Sequence, residues 1–291
     1  MVTVIISQTS GNDKLKVLEI AQQSKDTYAA LSSYTDTGTV VVKSSSGDIT
    51  ITTFTIRLQR PDLYRVDWSQ SISSIPQSTG RVWSAGDGFF MQQSAGGRDL
   101  YSKPLNQHTM QMSLGAAAGG SSSASSTIPE VFFATNSGDV LDSVLKVASK
   151  AATLTKERDA KIGGVDCHTL TSTFDPSKSP DGGKLPEGRG TIGKITTTFW
   201  IGKQDHLIHQ IRRAIDTSAL AMASLSDATI KSGLERINQP ATPEKIAAYR
   251  AHLEAVIKRT QGSGYVFTQT HENIVVNQKF SPADFAPENI K

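Results

Sequence analysis

Cysteine is nearly absent from this chain: Cys167 is the only one among 291 residues, so neither an intramolecular disulfide framework nor a multi-cysteine zinc site can form. No run of 18 apolar residues occurs, which excludes a membrane-spanning helix. An excess of one charge is missing too. Thirty Lys and Arg stand against 27 Asp and Glu, dispersed along the whole length, a pattern that argues against a nucleic-acid interface. The opening MVTVIISQTS is too short for a secretory signal and lacks a basic start, so a signal peptide, where one existed, is expected to have been removed. Catalytic signatures are equally scarce. There is no G-x-S-x-G elbow and no H-E-x-x-H, and the glycine turns GDG and GGVDC lack the strand–loop–helix setting that phosphate binding needs. His206 and His209, three apart on a strand, point to opposite faces, and Cys167 diverges from its neighbour His168. Cys167 is therefore expected as a small buried hydrophobe, and no catalytic residue, metal or cofactor is expected.

What is present is the material of a folded domain, 37% hydrophobic and 20% charged. Residues 13–31 carry Leu15, Leu18, Ala21, Tyr28 and Leu31 at helical spacing, with Asn12 or Asp13 able to cap. From Tyr34 to Trp68 the period changes to that of strands: TVVVKS, DITITTFTIRLQ and DLYRVDW are rich in β-branched and aromatic residues. In the second of these, Phe54, Ile56 and Leu58 share one face while Thr55, Arg57 and Gln59 share the other. RVWSAGDGFFMQQS continues the strands through a glycine turn. GAAAGGSSSASS, residues 115–126, offers nothing to bury and is expected as a flexible loop. Residues 138–152 have a helical stripe of Val140, Leu141, Val144, Leu145 and Ala148. KIGGVDCHTLTSTF, KITTTFWIG, HLIHQIRRAI and GYVFTQTHENIVVN read as further strands, the first two separated by a Pro- and Gly-rich loop.

A helical insertion is expected at about 217–261. In its second helix Thr242 caps, Pro243 stands at the first position, Ile246, Tyr249, Leu253, Val256 and Ile257 form the apolar stripe, and Gly262 ends it. The tail KFSPADFAPENIK is expected to strap a sheet edge. The order predicts one α+β domain over 1–291, a wide antiparallel sheet with helices on one face.

RLQRPDLYRVDW followed by RVWSAGDG, then TTTFWIGKQDHLIHQIRR, then TQTHENIVVNQKFSPADFAP resemble, in that order, the LolA/LolB-like lipoprotein-carrier superfamily. The resemblance is to exported members and covers most of residues 13–287. It implies an incomplete, strongly curved β-barrel whose concave face is plugged by helices, with an apolar cavity between them for acyl chains. It also implies that Arg65, the second Arg of the RP-x-x-x-R pattern, holds the helical lid. The function so implied is that of a monomeric envelope carrier or sensor in the periplasm, not an enzyme, with a lipid or acylated protein as partner and peripheral contact with a membrane or membrane protein. Two other functions fit the same fold: an interaction module using the sheet edge or the insertion, and an enzyme acting on a small hydrophobic substrate. Phe54, Ile56, Leu58, Tyr64, Val66 and Trp68 alternate on adjacent strands, as the lining of a cavity or as ordinary core. The remaining expected ligand contacts are Arg65, Trp83, Trp200, Tyr249 and Leu253.

Overall fold

β-branched and aromatic residues at every second position dominate the middle of the chain, and they form strands. The computed structural model describes residues 11–44, 47–72, 75–95, 98–104, 109–134, 140–145, 152–175, 178, 193–216, 227, 230–231, 241–248, 250–251 and 264–286. Helix α1 (Gly11–Ala30) precedes six strands, β1 (Ser33–Ser44), β2 (Ile49–Gln59), β3 (Leu63–Ile72), β4 (Ile75–Ser84), β5 (Phe90–Ala95) and β6 (Arg98–Pro104). Three short helices follow, α2 (Met110–Ala117), α3 (Thr127–Phe133) and α4 (Val140–Leu145). The remaining strands are β7 (Ala152–Lys156), β8 (Ala160–Ile162), β9 (Val165–Phe174), β10 (Ile195–Gly202), β11 (Ile208–Ile215) and β12 (Tyr265–Val276).

The twelve strands among the described residues belong to one sheet, in the order β6-β5-β4-β3-β2-β1-β12-β11-β10-β9-β7, with β8 paired to β9. The first six form a meander, β7 to β11 form a second group, and β12 joins the two by pairing antiparallel with both β1 and β11. The path ends at β6 and β7, so the sheet stays open. Helices α2 and α1 touch it near its opposite ends, α2 on β4 and β5 and α1 on β7, while α1 also packs on α3 and α4. A sheet of this width reaches one helical layer from both ends only by curling around it. The expected α+β class, an incomplete barrel with helices on the concave face, is the observed one. No helix among the described residues is long and apolar enough to cross a membrane.

Period-two alternation decides which side chains face the helices. On β2, Thr52, Phe54, Ile56 and Leu58 are buried while Ile51, Thr53 and Thr55 are exposed. Their cross-strand partners Trp68, Val66 and Tyr64 on β3 continue the apolar face, and Val82 on β4 extends it. Two glycines make room for its large rings: a Cβ at Gly38 would stand 2.4 Å from the Phe54 ring, and one at Gly80 would stand 2.1 Å from Trp68. From the helical side, Val17, Ile20, Ala21, Tyr28, Leu114, Ile128, Val131 and Phe132 close the same cluster.

Two local expectations are corrected. Residues 115–126 are not a loose loop: α2 runs to Ala117, and Ser121, Ala124 and Ser125 in the turns that follow are fully buried. Small side chains let this segment approach the sheet, and its hydroxyls replace water as partners. Ser121 and Ser125 bond each other, Ser125 Oγ donates to the Leu114 carbonyl, and Ser122 Oγ meets Thr52 Oγ1 at 2.8 Å. The tail does not follow an edge. It crosses the convex face over β2 and β3, where Phe280 N donates to Gln59 and a 3-10 turn at Pro282–Asp284 lies beside Arg57 and Arg65. Of the insertion at 217–261, most lies outside the described residues. Within the part described, residues 243–248 are helical and Thr242 Oγ1 accepts from Lys245 N, as the capping reading expects.

Candidate functional site

Three sets of residues shape the seam between sheet and helices: an apolar floor, a latch and a buried polar lane. Phe54, Ile56, Leu58, Tyr64, Val66 and Trp68 make the floor, none of them more than 4% exposed, covered by α1, α2 and α3. The remaining expected contacts lie elsewhere. Arg65 and Trp83 are cross-strand partners on the convex face, because their neighbours Tyr64, Val66 and Val82 face inward. Trp83 stacks there on Phe90, with ring centroids 5.2 Å apart. Trp200, between the buried Phe199 and Ile201, is also convex. Tyr249 and Leu253 lie outside the described residues.

The latch is Arg60, not Arg65. Arg65 is bound on the convex side to Asp67 through Nε and Nη2, at 2.6 and 3.1 Å, and to the Ala286 carbonyl at 3.2 Å. Arg60, at the end of β2, donates from Nε to the Leu31 carbonyl at 3.0 Å and from Nη2 to those of Tyr28 at 3.3 Å and of Phe132. Its guanidinium also lies 4.7 Å from the centroid of the Phe132 ring. One side chain thus ties the C-terminal ends of α1 and α3 to the sheet, where a cation also suits the helix dipoles. Burial lowers the Arg60 guanidinium below its usual range. The sequence signal was available: alternation places Arg65 opposite Tyr64 and Val66, leaving Arg60 beside Pro61 as the residue free to turn toward the helices.

The polar lane runs along β1, β12 and β11 at the inward-facing positions. Asp36 and His271 are both wholly buried, and Asp36 Oδ2 accepts from Tyr34 Oη at 2.7 Å and lies within hydrogen-bond distance of His271 Nδ1. Gln269 stands two residues along the same face, also fully buried. Arg213 follows across from Phe267, inward-facing as the partner of buried Thr197. Burial lowers the Arg213 guanidinium, an effect opposed by the charge of Glu130 on α3. At the closed end, Tyr28 Oη accepts from Ile208 N at 3.2 Å, and burial pushes the phenols of Tyr28 and Tyr34 well above the usual range.

Several atoms here have no partner among the described residues: Asp36 Oδ1, His271 Nε2, both amide atoms of Gln269 and, on the floor, Trp68 Nε1. Sequence reasoning missed this lane. The signal was an Asp and a His at core-parity positions within strands whose other inward residues include Tyr34, Val40 and Phe267.

Away from the seam, His209 Nε2 bonds Asp205 Oδ2 at 2.9 Å in the β10–β11 turn, where His206 adopts a positive φ of 56°. Cys167 is fully buried, and burial, aided by the charge of Asp205, pushes its thiol up to about 11. Burial raises the Asp205 carboxyl, but hydrogen bonds from His209 and the Leu207 N–H outweigh it and hold the group below its usual 3.8. A depressed carboxyl contributes stability above the unfolded-state value and loses it as pH falls through the folded-state value. Asp205→Asn is therefore expected to lower stability at neutral pH and to flatten its loss on acidification below about pH 4. Chemical denaturation across that range reads both effects, and an unchanged pH profile would remove Asp205 from the account.

No family model matches the chain, and no curated protein matches it. Among solved structures it is similar to the Mycobacterium tuberculosis lipoprotein LppX, at 11% identity over 92% of this chain and 98% of that one, with a TM-score of 0.41. It is also similar to LprF from Mycobacterium bovis, at 12% identity over 92% and 95% with a TM-score of 0.42. A LolA superfamily protein from Nitrosomonas europaea matches at 8% identity over 95% and 98%, with a TM-score of 0.26. Likenesses this distant carry no function, and the reading below rests on the residues of the seam.

Proposed function

We propose that this protein binds a hydrophobic ligand, the acyl chain of a lipid or lipoprotein, between the concave sheet and its helical cover, and carries or senses it in the cell envelope without chemistry of its own. The observation that carries this reading is the set of buried polar atoms of Gln269, His271 and Asp36 that have no partner among the described residues, beside an apolar floor. A seam shaped only for stability satisfies its buried polar groups, because each orphan costs about 1–3 kcal/mol. A ligand with an apolar chain and a polar end answers both surfaces. Its chain would replace helix contacts on Phe54, Ile56, Leu58, Val66 and Trp68, at about 25 cal/mol per Å² of apolar area removed from water. Its polar end would meet the Gln269 amide and His271 Nε2.

Since the floor is fully covered in this state, entry requires the helices to lift from the sheet, and Arg60 is the tie that resists. The envelope setting follows from the sequence resemblance. Organic extraction and native mass spectrometry of the purified protein test the reading: a lipid released on extraction, with a matching mass adduct in the native spectrum, is the expected result. Protein that emerges free of lipid and takes none up from acyl-chain micelles overturns it.

A further inference from the structure

The convex face carries a second feature, unrelated to the seam. Arg57 on β2 and Arg65 on β3 are direct cross-strand partners, and Arg81 on β4 stands opposite Asp67, one step along the same face. Like charges directly opposite each other on adjacent strands, with Cβ atoms about 5 Å apart, destabilise a sheet. Asp67 relieves the opposition at Arg65 alone. Both its oxygens are engaged by Arg65, and Arg81 Nε reaches it only at 3.7 Å. The Asp284 carboxylate accepts from Ser281 N at 2.7 Å and from Ser281 Oγ at 2.9 Å, neutral donors that leave its charge beside Arg57, so three guanidinium groups stand with two carboxylates. Arg57 gives Nη1 to the Asp284 carbonyl and lies 5.4 Å from the Phe280 ring centroid, yet its Nε is shielded from solvent and has no partner among the described residues.

The three guanidinium groups, Thr55 and the Asp67 carboxylate border a cleft of about 690 Å³, walled on its far side by Ala283, Asp284 and Ala286. We propose that this cleft is an anion site for a phosphate group, with Arg57 and Arg81 as its principal ligands and Arg65 held in place by Asp67 and the Ala286 carbonyl. The arrangement fits tetrahedral phosphate oxygens: planar guanidinium forks approach from adjacent strands, and an anion offsets the positive charge that Asp67 and Asp284 leave on the three arginines. A site this far from the concave face works whether or not the seam takes a lipid, so its failure leaves the lipid reading standing.

The phosphate has two possible sources, a soluble phosphate compound or the headgroup of an anionic lipid at a membrane surface, and one set of proteins separates them. The wild type, Arg57→Gln, Arg81→Gln and, as a control away from the cleft, Lys161→Gln are melted in sodium phosphate and in sodium chloride of equal ionic strength. The same four are sedimented with phosphatidylglycerol vesicles and with phosphatidylcholine vesicles. A phosphate-specific rise in melting temperature, needing about tenfold more phosphate in either arginine variant and unchanged in Lys161→Gln, establishes a site for free phosphate. Selective sedimentation with phosphatidylglycerol, lost in the arginine variants, establishes a headgroup site. Among the described residues Arg81 makes only the long contact with Asp67, so Arg81→Gln decides the matter even where Arg57→Gln fails to fold. Equal melting in both salts together with equal sedimentation on both vesicles overturns the proposal, as do arginine variants that respond like the wild type.

Discussion

Arg60→Ala is expected to destabilise the protein by about 2–4 kcal/mol and to speed the exchange of bound lipid. Three backbone carbonyls, those of Tyr28, Leu31 and Phe132, lose a charged donor at once, and Phe132 loses the cation over its ring. The carbonyls belong to the ends of α1 and α3, so the change falls on the attachment of the helices rather than on the sheet. Urea unfolding gives the first quantity, and amide hydrogen exchange locates the second, with α1 and α3 losing protection ahead of β1 to β3. Arg60→Lys is expected to recover only part of the loss, because a single ammonium cannot repeat the fork that reaches carbonyls from two helices. Arg65→Ala is the comparison. Its partners are Asp67 and the tail on the convex face, so a change within about 1 kcal/mol and no effect on lipid exchange are expected. Equal effects of the two alanine variants on exchange would remove Arg60 from the latch.

Gln269→Leu is expected to act in the opposite direction on stability, raising it by about 1–3 kcal/mol, while weakening lipid retention. Both amide atoms of Gln269 are buried without partners among the described residues, and leucine fills a similar volume with nothing to desolvate. A gain in stability with a loss of function is the expected signature of a residue kept for a ligand. Urea unfolding of lipid-free protein and the amount of lipid recovered by extraction read the two halves separately. A lower stability would mean that the amide is satisfied within the protein, and the polar lane would lose its meaning as a ligand contact.

Much of the architecture was legible because strands and helices write their periods into the chain. Phe54, Ile56 and Leu58 alternate with Thr55 and Arg57, and Tyr64, Val66 and Trp68 with Arg65 and Asp67, so both the sheet and its buried face follow from spacing. The GDG turn was legible for a similar local reason, since Gly86 and Gly88 both take positive φ, at 96° and 147°. The same alternation contradicts the role that resemblance implies for Arg65. A motif identifies a residue type near a place, whereas the pleat fixes the side of the sheet on which its side chain stands.

The sequence by itself determined the antiparallel strands, their inward-facing residues, helix α1 and the cap at Thr242, because each depends on neighbours within a few positions. Tertiary structure alone decided the rest. Composition marks residues 115–126 as loose, yet Ser121 and Ser125 bond each other, Ser125 bonds the Leu114 carbonyl, and Ser122 meets Thr52, 70 positions away in the chain. The pairing of Asp36 with His271 spans 235 positions and exists only because β12 returns to lie beside β1. The facing of Arg57 by Arg65 likewise depends on the register of β2 against β3, which sums packing over both strands. Local spacing reports which face a residue takes, but which distant residue it meets there depends on how the whole chain closes.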